Sequence, residues 1–354
     1  MELGFFIEKG VIILAIWAIT MLIALYSTYG ERKIAAFFQD RVGPNRAGPF
    51  GLLQPLADGV KMFTKEDFTP DTPNKFLFIL GPGLFMTTAL VTSAVIPWGD
   101  TITLFGRVIP LQVADINVAL LFVFGVVSIG VYGIMIGGWA SNNKYSLLGA
   151  VRASSQMISY EVAMGLSIIA VLMLTQSLSL RDITLKQHGF IDWSSSIPWF
   201  SWNVFKQPIA FFVFLICAFA ETNRTPFDLP ECESELVGGY HTEYSSMKLG
   251  FFLFAEYINM FISSAIIAVL FFGGFNYPGM DWVGAHIGGN AATILGVVAL
   301  FAKVFFFIFF YMWVRWTLPR FRYDQLMNLG WKYLIPLSIA NIIITGIVII
   351  WQQG

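Results

Sequence analysis

The sequence predicts an all-α polytopic membrane protein of eight transmembrane helices, with an amphipathic interfacial helix in its first polar loop. Three observations carry that class. Of 354 residues, 56% are hydrophobic and only 12% are charged, about half the charged share of a soluble domain. The mean hydropathy is +0.70. Apolar runs recur along the whole chain at roughly the 20-residue length that crosses a ~30 Å hydrocarbon core. A formal net charge of −1 leaves no basic footprint, so no nucleic-acid partner is expected.

The spans fall near 10–29, 76–98, 115–140, 157–176, 208–223, 249–273, 292–316 and 331–351, and residues 1–354 are expected to form a single membrane domain. The first run has the length of a full span and no small-residue cleavage site after it, so it reads as a helix, not as a removed leader. In the long loop 30–75, Leu52, Leu53, Leu56, Val60 and Phe63 recur at helical spacing, while Asp58, Lys61 and Lys65 take the other face. That pattern predicts a helix lying in the interface plane or packed under the bundle. The fifth span has only thirteen apolar residues, 208–220. To cross, it must carry Glu221, Thr222 and Asn223 to membrane depth, facing protein or water. Trp98, Trp139, Trp316, Trp331 and Trp351 mark span ends as interfacial anchors. Trp193, Trp199 and Trp202 are expected at the interface beside the loop 177–207.

Fifteen of the 21 Lys and Arg residues fall in the loops after odd-numbered spans. The positive-inside rule then puts both termini outside and the basic loops in the cytoplasm or an organellar matrix. The stretch Glu221–Glu256 lies on that inner side. It holds Glu221, Asp228, Glu231, Glu233, Glu235, Glu243 and Glu256 against only Arg224 and Lys248. Glu231 and Glu235 would share a helix face at a cost of about 0.2–0.5 kcal/mol. Crowded carboxylates hold protons more tightly than isolated ones, which suits a site that takes up and releases them.

Besides Glu221, the charges Asp115, Glu161, Glu256 and Lys303 are expected within spans. Each costs on the order of 3 kcal/mol in lipid and should face the interior. Asp115 is placed to reach the outer interface as a structural group. Lys303 is open between a structural and a functional role, with a carboxylate partner as one expectation. Glu161 and Glu256 are placed in the inner half, near the depth of Glu221. These three carboxylates outnumber the one intramembrane lysine, so they read as proton-handling groups. Cys217 and Cys232 read as inert fillers. His188, His241 and His286 have no metal-ligand spacing, and no GxGxxG, P-loop or CxxC is present. No metal, nucleotide, haem or iron–sulfur cluster is therefore expected on this chain.

Two stretches say more. ERKIAAFFQDRVGPNRAGPFGLLQPLADGVKMFTKED (Glu31–Asp67) and AETNRTPFDLPECESELVGGYHTEYSSMKLGFFLFAEY (Ala220–Tyr257) closely resemble the signature regions of the H-type subunit family of bacterial NADH:quinone oxidoreductase, respiratory complex I. GGWASNNKYSLLGAVRASSQMISYE (Gly137–Glu161) and LPRFRYDQLMNLGWK (Leu318–Lys332) are similar to further blocks of that family. Cys232 departs from the glycine usual there. The resemblance implies a membrane-arm subunit, inactive alone, that supplies the membrane part of a quinone tunnel, the docking surface for the redox arm and the acidic entrance of a proton path. It implies no catalytic residue in this chain. Asp58, Glu161, Glu221, Asp228, Glu231, Glu233, Glu235, Glu243 and Glu256 would form the proton path. Arg32, Phe37, Arg41, Phe227 and Arg315 would serve the quinone, which is the substrate. A quinone carbonyl accepts hydrogen bonds from Arg, and its tail needs apolar walls such as Phe37, Phe38 and Phe63. Taken alone, Arg32, Arg41 and Arg46 read as topology signals and lipid phosphate contacts; the resemblance moves Arg32 to the quinone and leaves Arg46. NADH, FMN and iron–sulfur clusters are then expected in partner subunits, which include quinone-site subunits of the redox arm and antiporter-like and small membrane subunits. Lipids complete the surroundings, in a bacterial cytoplasmic membrane or, as the alternative, an organellar inner membrane. The alternatives in function are the homologous subunit of a hydrogenase or other-donor dehydrogenase complex, a stand-alone secondary transporter and a purely structural anchor.

Overall fold

The computed structural model describes residues 2–70, 74–104, 106–187, 191–192, 199–229 and 236–353. Glu231, Glu233 and Glu235, with Cys232, His188 and Trp193, lie outside the described residues. In chain order the helices are α1 (Glu2–Phe38), α2 (Gln54–Thr64), α3 (Lys75–Thr92), α4 (Ala119–Ala140), α5 (Lys144–Thr175), α6 (Leu180–Leu185), α7 (Asn203–Lys206) and α8 (Pro208–Glu221). They continue as α9 (Ser246–Phe271), α10 (Met280–His286), α11 (Gly289–Thr317) and α12 (Tyr323–Asn328). A six-residue π segment, Leu329–Leu334, leads into α13 (Ile335–Gln353). Strands β1 (Thr101–Leu104) and β2 (Arg107–Pro110) form an antiparallel hairpin with Thr101 opposite Pro110. Two two-residue strands, β3 (Ile191–Asp192) and β4 (Trp199–Phe200), pair likewise.

The class is the expected one, an all-α polytopic membrane protein. Among the described residues, seven helices are long and apolar enough to cross a membrane, and α8 is a shorter apolar helix. Its 14 residues reach about 21 Å at 1.5 Å per residue, short of a ~30 Å core. Several span bounds differ from the hydropathy reading, most of all the end of α1 and the start of α5. α1 runs on to Phe38, and α5 begins at Lys144, not near 157. The α5 extension is fixed by Asn143, whose side chain accepts from the Tyr145 N–H as an N-cap. Hydropathy misses it because its polar residues, such as Gln156, face protein.

Helices α3 and α4 approach through glycine. A Cβ on Gly81 would stand 2.8 Å from the Gly137 Cα, a distance only a small-residue contact between membrane helices permits. On the far side, Gly149 of α5 admits the backbone of Gly239 and Tyr240, where a Cβ would meet Tyr240 N at 2.7 Å. This lets the end of the acidic stretch dip between α4, α5 and α9.

Helix α2 bears out the amphipathic reading. Leu52, Leu53, Leu56, Val60 and Phe63 are all exposed. Of the polar face, Asp58 pairs with Arg32 at 2.7 Å while Lys61 and Lys65 are exposed. The end of the helix is held by Ser246 Oγ, which donates to Met62 O at 3.0 Å, and just beyond it Lys248 pairs with Asp67 at 3.0 Å.

The carboxylate partner considered for Lys303 is replaced by carbonyls. Its amine donates to Phe272 O, Gly274 O and Asn276 O at 2.7, 2.8 and 2.6 Å. It also lies 4.8 Å from the centre of the Trp202 ring. Gln187 and Asn203 cap Leu270 O from the same side. A helix leaves carbonyls unpaired at its C-terminus; at α9, Gln187 and Asn203 take Val269 O and Leu270 O, and Lys303 takes carbonyls of the turn that follows. Asp115 accepts from Ser179 and lies 3.7 Å from Arg181.

Candidate functional site

The acidic groups descend from the end of the bundle where α4 turns into α5. At the surface, Asn143 Nδ2 donates to Glu243 Oε1 at 2.6 Å. One level deeper, Tyr240 donates to Glu256 Oε1 at 3.0 Å, with Glu256 only 5% exposed. Glu256 lies ten residues into α9, or about 15 Å.

Glu161 lies deeper than expected. It accepts a short hydrogen bond from Ser128. Ser128 stands nine residues from one end of α4 and twelve from the other, about 14 and 18 Å. Glu161 is therefore at mid-depth and not in the inner half. The expected depth came from a span start near 157, and the true helix starts thirteen residues earlier.

Glu221 ends α8 against an internal cavity. The cavity has about 40 Å³ of room for water and is lined by Val127, Met164, Phe214, Asn259 and Ser263 among others. One water needs roughly 10–15 Å³ of such space, so the cavity is of water-chain size. Glu221 is only half-buried because it faces this cavity. Its carboxylate and that of Glu161 are close enough to feel each other's charge.

The chain turns at the end of α8 because Asn223 adopts φ 51°, a left-handed conformation that Asn tolerates. Gln156 holds the turn. Its amide donates to Ala220 O at 2.7 Å and Phe227 O at 2.8 Å. Beyond the turn, Asp228 is 5% exposed and pairs with Arg320 at 2.9 Å.

A second cluster joins four elements. Glu31 of α1 is 6% exposed. It lies 3.0 Å from Arg224, 2.5 Å from Arg315 of α11, and accepts from Tyr257 of α9 at 2.9 Å. The Arg224 guanidinium sits 4.2 Å over the Tyr257 ring, a cation–π contact. Glu31 and Tyr257 also line a cavity of about 350 Å³ between α1, α2 and α9. Arg32, Arg41 and Asp58 stand at its polar side, and Leu25, Met62, Leu253 and Phe254 give it apolar walls. Arg32 and Asp58 pair at 2.7 Å. An open pocket of about 770 Å³ adjoins it and adds Arg46 and Gln54 to Arg32 and Arg41.

The structure thus brings Arg32, Arg41 and Asp58 together at one cavity. It places the three other quinone candidates elsewhere. Phe37 is 81% exposed and lines neither pocket; it falls on the outer face of α1. Phe227 is 4% exposed and packs on Tyr160 and Phe321 at 5.4 and 5.6 Å, where it fills core. Arg315 lines neither pocket and pairs with Glu31. Sequence reasoning passed over Glu31, Tyr257, Gln156 and Ser128. Glu31 carried a signal, a carboxylate two residues past the end of the first apolar span. The others carried none, because Ser, Gln and Tyr are unremarkable in apolar helices.

The family model described as NADH dehydrogenase matches residues 11–346. The chain belongs to the NADH dehydrogenase family. Both cavities and all the described acidic groups lie inside the matched residues. Among its relatives, the H-type subunit of NADH-quinone oxidoreductase from Flavobacterium psychrophilum is 69% identical over 98% of each chain. The protein of the same name from Flavobacterium johnsoniae is 67% identical over 99% of this chain and 97% of its own. That of Thermomicrobium roseum is 52% identical over 93% and 92%. This NADH dehydrogenase family chain is therefore similar to those proteins from end to end, and the similarity is not confined to one motif.

Proposed function

We propose that the chain is the membrane subunit of a proton-translocating NADH:quinone oxidoreductase, multi-pass and with both termini outside. Residues 1–354 act as one membrane domain. The observation that carries this reading is the 350 Å³ cavity, where Arg32, Arg41 and Asp58 meet apolar walls and Glu31 closes one side. A quinone headgroup needs donors for its carbonyls, and its tail needs carbon surface; this cavity offers both. Reduction takes two electrons from cofactors in partner subunits and two protons, and it changes the charge at the cavity. Glu31 and Tyr257 face that change directly. Arg224 links them to the end of α8, where Glu221 meets its cavity and the neighbouring Glu161. The proton path then runs through Glu243, Glu256, Glu161 and Glu221, and it takes in Asp58, Asp228, Glu231, Glu233 and Glu235. The open face of α2 and the arginine pocket serve docking of the redox arm.

The test is to purify the tagged complex from native membrane and assay NADH-driven, inhibitor-sensitive reduction of a short-chain quinone. Glu221→Gln is expected to leave the complex assembled and to cut turnover or pumping at least about tenfold, the scale of losing one positioned proton carrier. Near-normal turnover and pumping in the assembled variant would remove Glu221 from the path. Oxidation of hydrogen or another donor by the purified complex would move the chain to the related-complex reading.

A further inference from the structure

A further cavity shares no lining residue with those described above. It is a cleft of about 230 Å³ between α1 and α11, bounded by Ile12, Ile16, Thr20, Trp98, Val297 and Phe301. Helices α1 and α11 meet near the acidic end, where Arg315 holds Glu31 and Gly30 faces Met312. Towards the opposite end they part, and Trp98 forms the floor, stacked on Phe261 and Phe301 at 5.4 and 5.8 Å. The two polar residues in the lining turn their polar atoms away. Thr20 Oγ1 donates to Ile16 O at 2.8 Å, and Trp98 Nε1 donates to Ser93 O at 3.2 Å. The cleft therefore presents carbon alone. At its mouth is a positive charge: Lys9, two residues before the first lining residue Val11, donates to Gln112 O at 3.3 Å, beside the lining residue Leu111.

We propose that this cleft holds one acyl chain of a phospholipid, with the headgroup phosphate at Lys9. The lining residues of α1 run from Val11 to Thr20, about 14 Å along the axis. Over that length the volume is a channel on the order of one side chain wide. A helix, ~10 Å across with its side chains, does not fit, so neither a second copy nor a partner's helix fills it. A flexible hydrocarbon chain does fit, and a cation at the polar end of a carbon groove matches a phospholipid from end to end. The cleft lies in the half of the membrane opposite the Arg32–Asp58 cavity, which sets its occupant apart from the quinone.

The intact complex, purified from native membrane, tests this with a phospholipid carrying a photoactivatable diazirine in its acyl chain. The expected result is labelling within 11–20 and 297–301. Ala15, exposed and in the lining, supplies the variant: Ala15→Trp should lower that labelling to background and remove one tightly bound phospholipid per complex, with NADH-driven reduction of a short-chain quinone retained. Lys9→Glu should weaken labelling by the same lipid. Equal labelling and equal bound phospholipid in wild type and Ala15→Trp would overturn the proposal. So would labelling of these residues by a polyprenyl-quinone diazirine and not by the phospholipid. The wild-type labelling stands on its own if the tryptophan variant fails to assemble.

Discussion

Arg224 holds Glu31 at 3.0 Å in a buried ion pair that spans most of the chain length. Glu31 is also held by Arg315 at 2.5 Å, so one carboxylate balances two guanidinium groups. Removing one partner of a buried pair costs about 3–5 kcal/mol, because the other charge stays desolvated. Glu31→Ala is therefore expected to lower the amount of intact complex on native gels and its thermal midpoint together. Glu31→Gln, which keeps an acceptor for one arginine, should fall between. An assembled Glu31→Ala complex with the wild-type midpoint would show that the cluster holds nothing together.

Gln156 ties the end of α8 to the acidic stretch through Ala220 O and Phe227 O. Gln156→Leu keeps the volume and removes both donors, at about 1–3 kcal/mol for each buried carbonyl left without a partner. Hydrogen exchange should quicken in peptides covering 222–229 and stay unchanged in α11. Unchanged protection at 222–229 would count against Gln156 as the holder of that turn.

Most of the fold was legible because hydropathy reads burial in lipid directly. The shortness of α8 was legible for the same reason: thirteen apolar residues are too few to cross alone, so Glu221 had to meet protein or water, and it meets a cavity. Depth was not legible for Glu161. An apolar window marks where a helix is greasy, not where it begins, and α5 starts among polar residues that face protein. Pairing was less legible still. Nothing local joins Glu31 to residues near 224, 257 and 315, since that meeting depends on how four helices cross. Phe37 and Phe227 show the converse limit. Both are aromatic and close in sequence to residues of the Arg32–Glu31 cluster, yet one points outward and the other fills core.

Tyr244 gives an alkaline prediction outside the membrane-spanning helices. Its hydroxyl donates to Phe78 O at 3.1 Å and Gly137 O at 3.2 Å. Burial pushes the phenol above the ordinary tyrosine range, with Ser141 pulling partly the other way. A group that binds its proton more tightly when folded contributes stability below its unfolded-state pKa, near 10 for tyrosine. That contribution is lost as pH rises through the folded-state value. The complex should therefore lose thermal stability above about pH 10 in part through Tyr244. Tyr244→Phe should be less stable at neutral pH and lose less on alkalinisation. A parallel decline in both proteins would rule out Tyr244 as a contributor.

Lys303 separates structural from proton-carrying roles for a buried charge. Three carbonyls of the turn after α9 converge on its amine. Lys303→Met keeps the apolar stem and leaves those carbonyls without the donor, at about 1–3 kcal/mol each. A loss on that scale is felt as a fall of at least a few degrees in thermal midpoint for a domain of this size, with faster exchange in the turn 272–276. Turnover should fall only as far as the assembled fraction does, because the tie lies at the opposite end of α9 from Glu256. Lys303→Arg keeps the charge and the donors on a wider planar group, so it should recover part of the stability. The contrary outcome is a Lys303→Met complex with the wild-type midpoint and abolished pumping. In that case the amine would be moving protons, and its three carbonyl bonds would be incidental to its role.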